Sequence, residues 1–267
     1  MAPRIGIAWD PFGKGKTAIR TGYGMSFDSM LVGVYQQVVG QNPPFVNNIT
    51  INNTRLDNPQ AGAVSISAAP RNIRAVPAPY LIPYTQQWSF DVQQQFGRTV
   101  VATGYYGSKG THLLGIQDMN TVRPGAAAAA GLLNANRFIT STELPRLNAI
   151  RPYRGYQYIS GIGTDFNSNY HSLQVSAQRS FPGSSSLRLA YTYSKVITDS
   201  PTDRSTAPQN YYCRACDRAR ANFDRTQVLT LSYVYPLPFA KKASNMVVRH
   251  VAGGWTLSGI VTAATGL

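Results

Sequence analysis

The sequence predicts an all-β protein, an antiparallel transmembrane β-barrel segment of about eight strands joined in hairpins. Three observations lead to this fold class. Polar and apolar side chains alternate along several stretches, and a period of two is typical of a strand with one apolar face. Each stretch has about ten residues, the length that a tilted strand needs to cross a bilayer. Short turns and long connections follow each other in alternation, as in outer-membrane barrels.

The clearest hairpin lies between Asn169 and Val196. From Ser172 to Phe181, polar residues alternate with apolar ones, and only Arg179 interrupts the apolar series. A run with turn composition follows at 182–186, and the return strand again alternates. A soluble β-sandwich would contain a similar hairpin, so the recurrence of the pattern along the chain decides between the two folds.

Three further hairpins show the same alternation. In chain order they are predicted at 4–10 with 17–27, at 87–96 with 99–107, and at 228–235 with 255–262, with a further strand extension considered at Val247-Val248. With the 169–196 hairpin, they make up eight strands.

The connections between these hairpins are long, at 28–83, 111–168 and 198–224, whereas the turns near Gly13, Gly97 and Gly183 are short. No regular structure is predicted over 29–83, and a short helix is predicted near Ala126–Ala130 because alanine has the highest helix propensity. Long connections are uncommon in compact soluble domains and usually mean function or disorder. We therefore expect the three long connections to project from one rim, which would be extracellular, and the short turns to lie at the other rim.

The composition agrees with a barrel and excludes several other classes. Charged residues make up 13% of the chain, the mean hydropathy is −0.20, and no apolar run is long enough for a transmembrane helix. The chain has a formal net charge of +14, but its Lys and Arg are spread through turns and loops, and no nucleic-acid-binding motif presents them. We predict no nucleic-acid partner and expect contact with anionic head groups of outer-membrane lipid, or with an acidic ligand, instead. No signal peptide follows Met1, so the chain is expected to be part of a longer exported protein.

Residues that could carry chemistry are few. His112, His171 and His250 are far apart and accompany no catalytic motif, so we predict neither enzymatic activity nor a cofactor. Cys213 and Cys216 form a CxxC pair in the third long connection. A local disulfide is the preferred interpretation on an oxidising outer surface, ahead of reduced thiols and of a metal site.

Six groups of residues together resemble a known family. They are Ala2-Pro3-Arg4-Ile5-Gly6 with Trp9-Asp10-Pro11-Phe12-Gly13, Tyr84-Thr85-Gln86-Gln87-Trp88-Ser89, Tyr105-Tyr106-Gly107-Ser108-Lys109-Gly110-Thr111-His112-Leu113, Asn169-Tyr170-His171-Ser172-Leu173-Gln174-Val175, Tyr191-Thr192-Tyr193-Ser194-Lys195, and Gly253-Gly254-Trp255-Thr256-Leu257-Ser258-Gly259-Ile260. This pattern resembles the barrel of Oar-like TonB-dependent outer-membrane receptors, and the resemblance runs from end to end of the chain.

The resemblance implies a location in the cell outer membrane and energy-coupled uptake of an extracellular solute that the sequence does not identify. It also implies a plug domain in the same full-length chain and a TonB–ExbB–ExbD complex that supplies energy. Neither a plug nor the usual terminal aromatic strand is recognised, so residues 1–267 are interpreted as an internal piece of the barrel domain that forms an open curved sheet. The alternative function is a soluble secreted β-rich binding or adhesion domain.

The inner face of the barrel is predicted from the polar positions of the alternating strands. The candidates that would face the lumen are Arg20, Gln87, Asp91, Gln93, Gln95, Gln174, Gln178 and Arg188. They would touch a plug or a passing solute, or they would only solvate the inner wall. The apolar face is predicted to carry Leu173, Val175, Leu189, Tyr191, Leu229, Leu231 and Leu257, opposite Gln174, Ser176, Thr230 and Ser258. Recognition is expected in the long connections, and deletion of 198–224 is expected to weaken ligand capture.

Overall fold

The chain forms one mainly antiparallel β-sheet in a computed structural model that describes residues 2–29, 32–46, 56–58, 71–183, 185–199, 208–238 and 253–266. The strands are β1 (Arg4–Trp9), β2 (Thr17–Phe27), β3 (Arg71–Ala75), β4 (Tyr84–Phe96), β5 (Thr99–Asp118), β6 (Tyr156–Phe181), β7 (Ser185–Thr198), β8 (Ala219–Arg220), β9 (Gln227–Pro236) and β10 (Thr256–Ala264). The helices are α1 (Val32–Gly40), α2 (Ala126–Ala129) and α3 (Leu144–Ala149), and 3₁₀ turns lie at Ser141–Glu143 and Arg214–Asp217. No helix among the described residues is both long and apolar enough to cross a bilayer.

The order of strands in the sheet is β1-β2-β4-β5-β6-β7-β9-β10. These eight strands form the four predicted hairpins, and each pairs with its neighbours antiparallel. Within the described residues β1 and β10 have one partner each and do not pair with each other, so the sheet is not closed. The prediction of an all-β open sheet is therefore confirmed. The suggested extension at Val247-Val248 lies outside the described residues.

The prediction of irregular structure over 29–83 was wrong in two places. Helix α1 spans Val32–Gly40, and strand β3 pairs parallel with the start of β6. The amide of Asn42 links them, since its Nδ2 donates to the carbonyl oxygens of Val38 at 2.8 Å and of Arg74 at 2.7 Å. Neither element carries a local signal, because β3 is too short to show alternation and α1 is rich in β-branched valine.

The predicted connection over 111–168 was too long, because β5 continues to Asp118 and β6 begins at Tyr156. The true connection is 119–155, and it contains a helix at Ala126–Ala129 as predicted. The register shifts between Gly110 and Gly115, and after these shifts many side chains on both faces are covered by protein. A strand that is buried on both faces does not alternate, so period two could not reveal this extension.

The register confirms the predicted division of the sheet into two faces. Leu173 lies opposite Tyr193, Val175 opposite Tyr191, and Leu189 opposite Leu231. Residues that lie opposite each other point to the same side of a sheet. The predicted apolar residues therefore share one face, here called the outward face, and Gln174, Ser176, Thr230 and Ser258 lie on the other, the inner face.

Strict antiparallel order also separates the connections. The turns after β1, β4 and β6 lie at one rim, and the connections after β2, β5 and β7 lie at the opposite rim. The predicted arrangement of short turns and long loops is confirmed. We call these the turn rim and the loop rim.

The structure divides into two zones, according to whether its apolar side chains are exposed or are covered by other parts of the protein. In the spanning wall, which comprises β1, β2, β4, β5 to Gly110, β6 from Ser168, β7, β9 and β10, many apolar side chains on the outward face are exposed. In the loop layer, which comprises residues 111–167, β3, β8 and 208–224, there is a packed core. Its buried apolar residues are Leu132, Leu147, Ile159, Ile162, Phe166 and Ala221.

Candidate functional site

The candidate lumen residues all lie on the inner face of the spanning wall. Arg20 lies opposite Asp91, Asp91 opposite Gly104, and Gly104 opposite Gln174, so one row of the sheet contains three of them. The register places Gln87, Gln93, Gln95, Gln178 and Arg188 on the same face. Whether this face lines a barrel lumen stays a prediction.

Two groups of these residues are in contact. Nη1 of Arg20 donates to Oε1 of Gln93 at 3.0 Å and lies 3.7 Å from Oδ1 of Asp91. Nη2 of Arg188 donates to Oε1 of Gln178 at 2.8 Å. Half of the Arg20 side chain is exposed, so its ion pair with Asp91 contributes little to stability.

A cavity of about 710 Å³ lies beside strands β1, β2, β4 and β5, at their ends nearest the loop rim. On its inner-face side it is lined by small residues, which leave room next to the rings of Tyr106 and Tyr170. The small residues are Gly22, Gly24, Ser26, Ser89 and Ser108. Gln87 also lines this cavity, so the structure brings one predicted lumen residue to a concave, hydrogen-bonding surface.

Arg214 anchors the segment 208–217, here called the disulfide segment because it contains Cys213 and Cys216, to strands β5 and β6. Its Nη2 and Nε donate to Oδ2 of Asp165 at 2.6 Å and 3.0 Å, and Nη2 also donates to Oε1 of Gln117. The guanidinium group lies 4.0 Å from the ring centroid of Phe166. A planar cation that stacks on an aromatic ring and binds a carboxylate is geometrically well defined, so this contact holds the third long connection over β5 and β6.

Cys213 and Cys216 flank this arginine and are joined by a disulfide, with 5.4 Å between their Cα atoms. The backbone N–H of Cys216 also donates to the carbonyl oxygen of Cys213, which closes a tight turn. The bridge therefore makes a small rigid loop that presents Arg214 to Asp165.

A second cavity, of about 420 Å³, opens next to this segment. Its lining is aromatic with one cationic group, and consists of Met119, Arg123, Ala126, Ile150, Pro152, Tyr153, Tyr211 and Tyr212. The hydroxyl of Tyr212 donates to the carbonyl oxygen of Thr121 at 2.8 Å, and the guanidinium of Arg123 lies 5.5 Å from the Tyr212 ring.

Burial is the main reason that the pKa of Tyr211 is raised above its ordinary value. Tyr153 and Asp165 raise that pKa further, and the charge of Arg214 opposes them. Tyr211 lines the second cavity, and its phenol, protonated at neutral pH, is both a hydrogen-bond donor and an acceptor.

The connection over 119–155 is closed at its base by Asn120, which is fully buried. Its Nδ2 donates to the carbonyl oxygens of Tyr153 and Tyr156, at 3.0 Å and 2.9 Å, and its Oδ1 accepts from the N–H of Tyr153 at 2.8 Å. Sequence reasoning missed this residue. The only local signal is the Asp118-Met119-Asn120 run, in which Oδ1 of Asp118 accepts from the N–H of Asn120 at 2.9 Å.

The histidines do not form a common site among the described residues. His112 lies in the loop layer, where Nδ1 is 3.2 Å from the carbonyl oxygen of Thr164, and His171 lies on the outward face. His250 is outside the described residues, which include no group of three potential metal ligands.

A sequence model of the family described as "Outer membrane beta barrel domain" matches residues 1–267. Comparison with curated proteins finds no match.

Solved structures with a similar fold include the outer membrane transporter YddB from Escherichia coli. It is 10% identical to this chain, with a TM-score of 0.53 over 98% of this chain and 33% of YddB. Two further structures align with lower scores. The FrpB iron transporter from Neisseria meningitidis is 10% identical, with a TM-score of 0.45 over 89% of this chain and 24% of FrpB. The FpvAI–pyocin S2 complex is 8% identical, with a TM-score of 0.43 over 98% of this chain and 22% of that chain. The chain thus spans about a third of the length of YddB.

Proposed function

Since this chain belongs to the outer membrane β-barrel domain family, we propose that it forms part of the wall and extracellular loops of a TonB-dependent receptor. Such a receptor takes up a solute across the outer membrane with energy from a TonB–ExbB–ExbD complex. The plug domain and the segment that contacts TonB would belong to other parts of the same protein. The Oar-like motifs support this proposal, as does the fold shared with an outer membrane transporter.

The observation that carries the proposal is the construction of the loop layer. Long connections meet at one rim, and the Arg214 contacts hold the disulfide segment against the extension of β5 and β6. Loops that are held in a fixed arrangement on a rigid scaffold commonly carry recognition.

The outward face favours a membrane protein over the alternative of a soluble secreted β-rich binding or adhesion domain. Ile7, Trp9, Leu173 and Leu257 lie on it and are 61%, 59%, 47% and 51% exposed. Exposed large apolar side chains recur on this face in all eight strands of the spanning wall, and such a surface is suited to lipid and not to water. The family places this chain in the outer membrane.

The structure shows that a deletion smaller than 198–224 is the better test of a ligand role for the third connection. Ala221 and Asp224 are each only 5% exposed, and Oδ1 of Asp224 accepts from the N–H of Val196 at 2.9 Å. Removing all of 198–224 would therefore damage β7 as well. Excision of 208–217 takes out the disulfide, Arg214 and both loop tyrosines, and keeps Asp224.

The experiment compares strains that carry the full-length receptor, the 208–217 excision, or no receptor, each with and without TonB. Mass spectrometry of the growth medium identifies solutes whose depletion needs both the receptor and TonB. We expect such a solute, and we expect the excision to slow its depletion while the barrel remains folded and heat-modifiable. Depletion that needs the receptor but not TonB would contradict energy-coupled uptake. Unchanged depletion after the excision would contradict a role for this connection.

A further inference from the structure

Apart from tyrosine, the ionisable residues on the outward face of the described spanning wall are all basic. Within the described strands of the spanning wall they are Lys109, His171, Arg179 and Lys195. Arg179 lies near the turn rim, where its guanidinium is 4.8 Å from the ring of Phe181. The other three lie near the loop rim, and all three are exposed. A face that meets lipid therefore carries a local cluster of basic residues, and within the described strands no Asp or Glu lies on this face to balance them.

These three residues are neighbours on adjacent strands. His171 of β6 lies directly opposite Lys195 of β7, and Lys109 of β5 lies opposite Asn169, two residues from His171. Directly opposed residues have Cβ atoms about 5 Å apart and diagonal neighbours are about 7–8 Å apart. One small anionic group can therefore reach all three side chains. We call Lys109, His171 and Lys195 the basic triad.

Aromatic residues hold the imidazole of the triad in place. The hydroxyl oxygen of Tyr105 lies 2.6 Å from Nδ1 of His171, and the two rings stack with centroids 6.1 Å apart. The Trp88 ring lies 6.0 Å from the imidazole on another side. Since Nδ1 is engaged by Tyr105, Nε2 is the ring nitrogen available to a ligand. Tyr and Trp at this level mark the boundary between hydrocarbon and headgroups.

The two lysines have no counter-ion among the residues that the structure describes. Neither side chain forms a hydrogen bond or an ion pair with another described residue. Two lysines without a counter-ion at the depth of the headgroups attract anionic lipid. A phosphate can accept charge-assisted hydrogen bonds from both lysines and a further hydrogen bond from Nε2–H of His171.

We propose that the basic triad binds the phosphate of a phosphorylated glycolipid in the outer leaflet of the membrane. The proposal rests on the orientation given under the proposed function, in which the loop rim is extracellular. The phosphate lies between Lys109, His171 and Lys195, and the acyl chains run down the outward face over Tyr105 and Leu173. The site would tie a lipid of the outer leaflet to the level of the loop layer.

The test is native mass spectrometry of the detergent-purified full-length protein with diphosphorylated lipid A as the probe. The variant is the double substitution Lys109→Gln and Lys195→Gln. Each lysine at a charged surface changes affinity by roughly fivefold, so the double variant should bind the probe about 25-fold more weakly. The matched control is Lys14→Gln with Lys16→Gln, two exposed lysines in the short turn at the turn rim, and it should bind as the native protein does.

Three results would overturn the proposal. They are equal binding of dephosphorylated lipid A, an equal loss of binding in the control variant, and displacement of the lipid by an excess of inorganic phosphate, which would indicate a site for the free anion. Heat-modifiable migration in electrophoresis verifies that each variant is folded. If the double variant does not fold, Lys109→Arg with Lys195→Arg replaces it and should retain phosphate-dependent binding. Lipid binding in detergent needs neither TonB nor a solute, so its failure is distinct from failure of the proposed function.

Discussion

The two halves of β6 place their apolar side chains in opposite environments. In the loop layer, Ile159, Ile162 and Phe166 are 6%, 0% and 0% exposed. In the spanning wall, Leu173 and Phe181 of the same strand are 47% and 39% exposed. The strand is continuous, so the difference lies in what surrounds each half. Where the chain meets water it covers its apolar groups with protein, and where it meets lipid the acyl chains do this instead.

The polar groups differ between the zones in the same way. In the loop layer they are buried and paired within the protein, as for Asn120 with the backbone of Tyr153 and Tyr156. In the spanning wall, charged and amide side chains such as Arg20 and Gln178 lie exposed on the inner face, whereas the small hydroxyls of Ser172 and Ser194 are buried there. Stability of the loop layer should therefore respond to cavities and unpaired groups, and stability of the spanning wall to charges on its outward face.

The largest loss of stability is expected from a substitution in the part of β6 that lies in the loop layer. Phe166→Ala removes a fully buried ring and the surface on which the Arg214 guanidinium stacks, and such a change typically costs about 3–5 kcal/mol. We expect limited proteolysis to cut the 119–155 and 208–217 segments faster, with no change in the heat-modifiable migration of the barrel. Leu173→Ala is the control in the lipid-facing half, and its proteolysis should match that of the native protein. Similar behaviour of the two variants would mean that the zones are not separate.

The next largest loss of stability is expected in the part of β6 that lies in the spanning wall, where two adjacent residues can be compared. Val175 lies on the outward face, opposite Thr103 and Tyr191, and Ser176 lies on the inner face. An arginine on the lipid face near the bilayer midplane costs about 2–4 kcal/mol, whereas the inner face is wet. In urea titrations of folding into phospholipid vesicles, Val175→Arg should therefore lower the free energy of unfolding by that amount and Ser176→Arg should change it little. A larger loss from Ser176→Arg would reverse the assignment of the faces.

A smaller loss of stability is expected on substitution of Gly115, and Gly6 serves as the comparison. A Cβ on Gly115 would lie 2.2 Å from the ring of Phe166, whereas a Cβ on Gly6 in β1 would come no closer than 3.8 Å to its nearest neighbour. Gly115→Ala should displace the ring and destabilise the loop layer by about 1–3 kcal/mol. Thermal unfolding, monitored by sensitivity to protease, should show this loss of stability for Gly115→Ala and no loss for Gly6→Ala. Equal tolerance of both would show that Phe166 has free space beside it.

The spanning strands could be predicted because each of their faces meets a single environment. Leu173, Val175 and Ala177 alternate with Gln174 and Ser176, and this period alone identifies the strand and both of its faces. The same signal predicted every one of the lumen candidates to share a face.

The loop layer could not be predicted in this way. Its long strands are covered on both sides, so the 158–164 part of β6 shows no alternation between buried and exposed residues. Its central contact joins Arg214 to Asp165, which is 49 residues away in sequence, and no local pattern marks such a pair. The Cys213-Cys216 pair was visible in the sequence, but the role of the arginine between them depends on the tertiary structure.

The central claim is that one face of the spanning wall meets lipid and the other meets water. Nitroxide labels placed one at a time at residues 173–178 of the full-length protein in bilayers test it most directly, through collision rates with oxygen and with a water-soluble nickel chelate. We predict that oxygen collisions peak at 173, 175 and 177, and that nickel collisions peak at 174, 176 and 178, because successive residues point to opposite faces. Equal rates at all six positions, or the reverse alternation, would contradict the account.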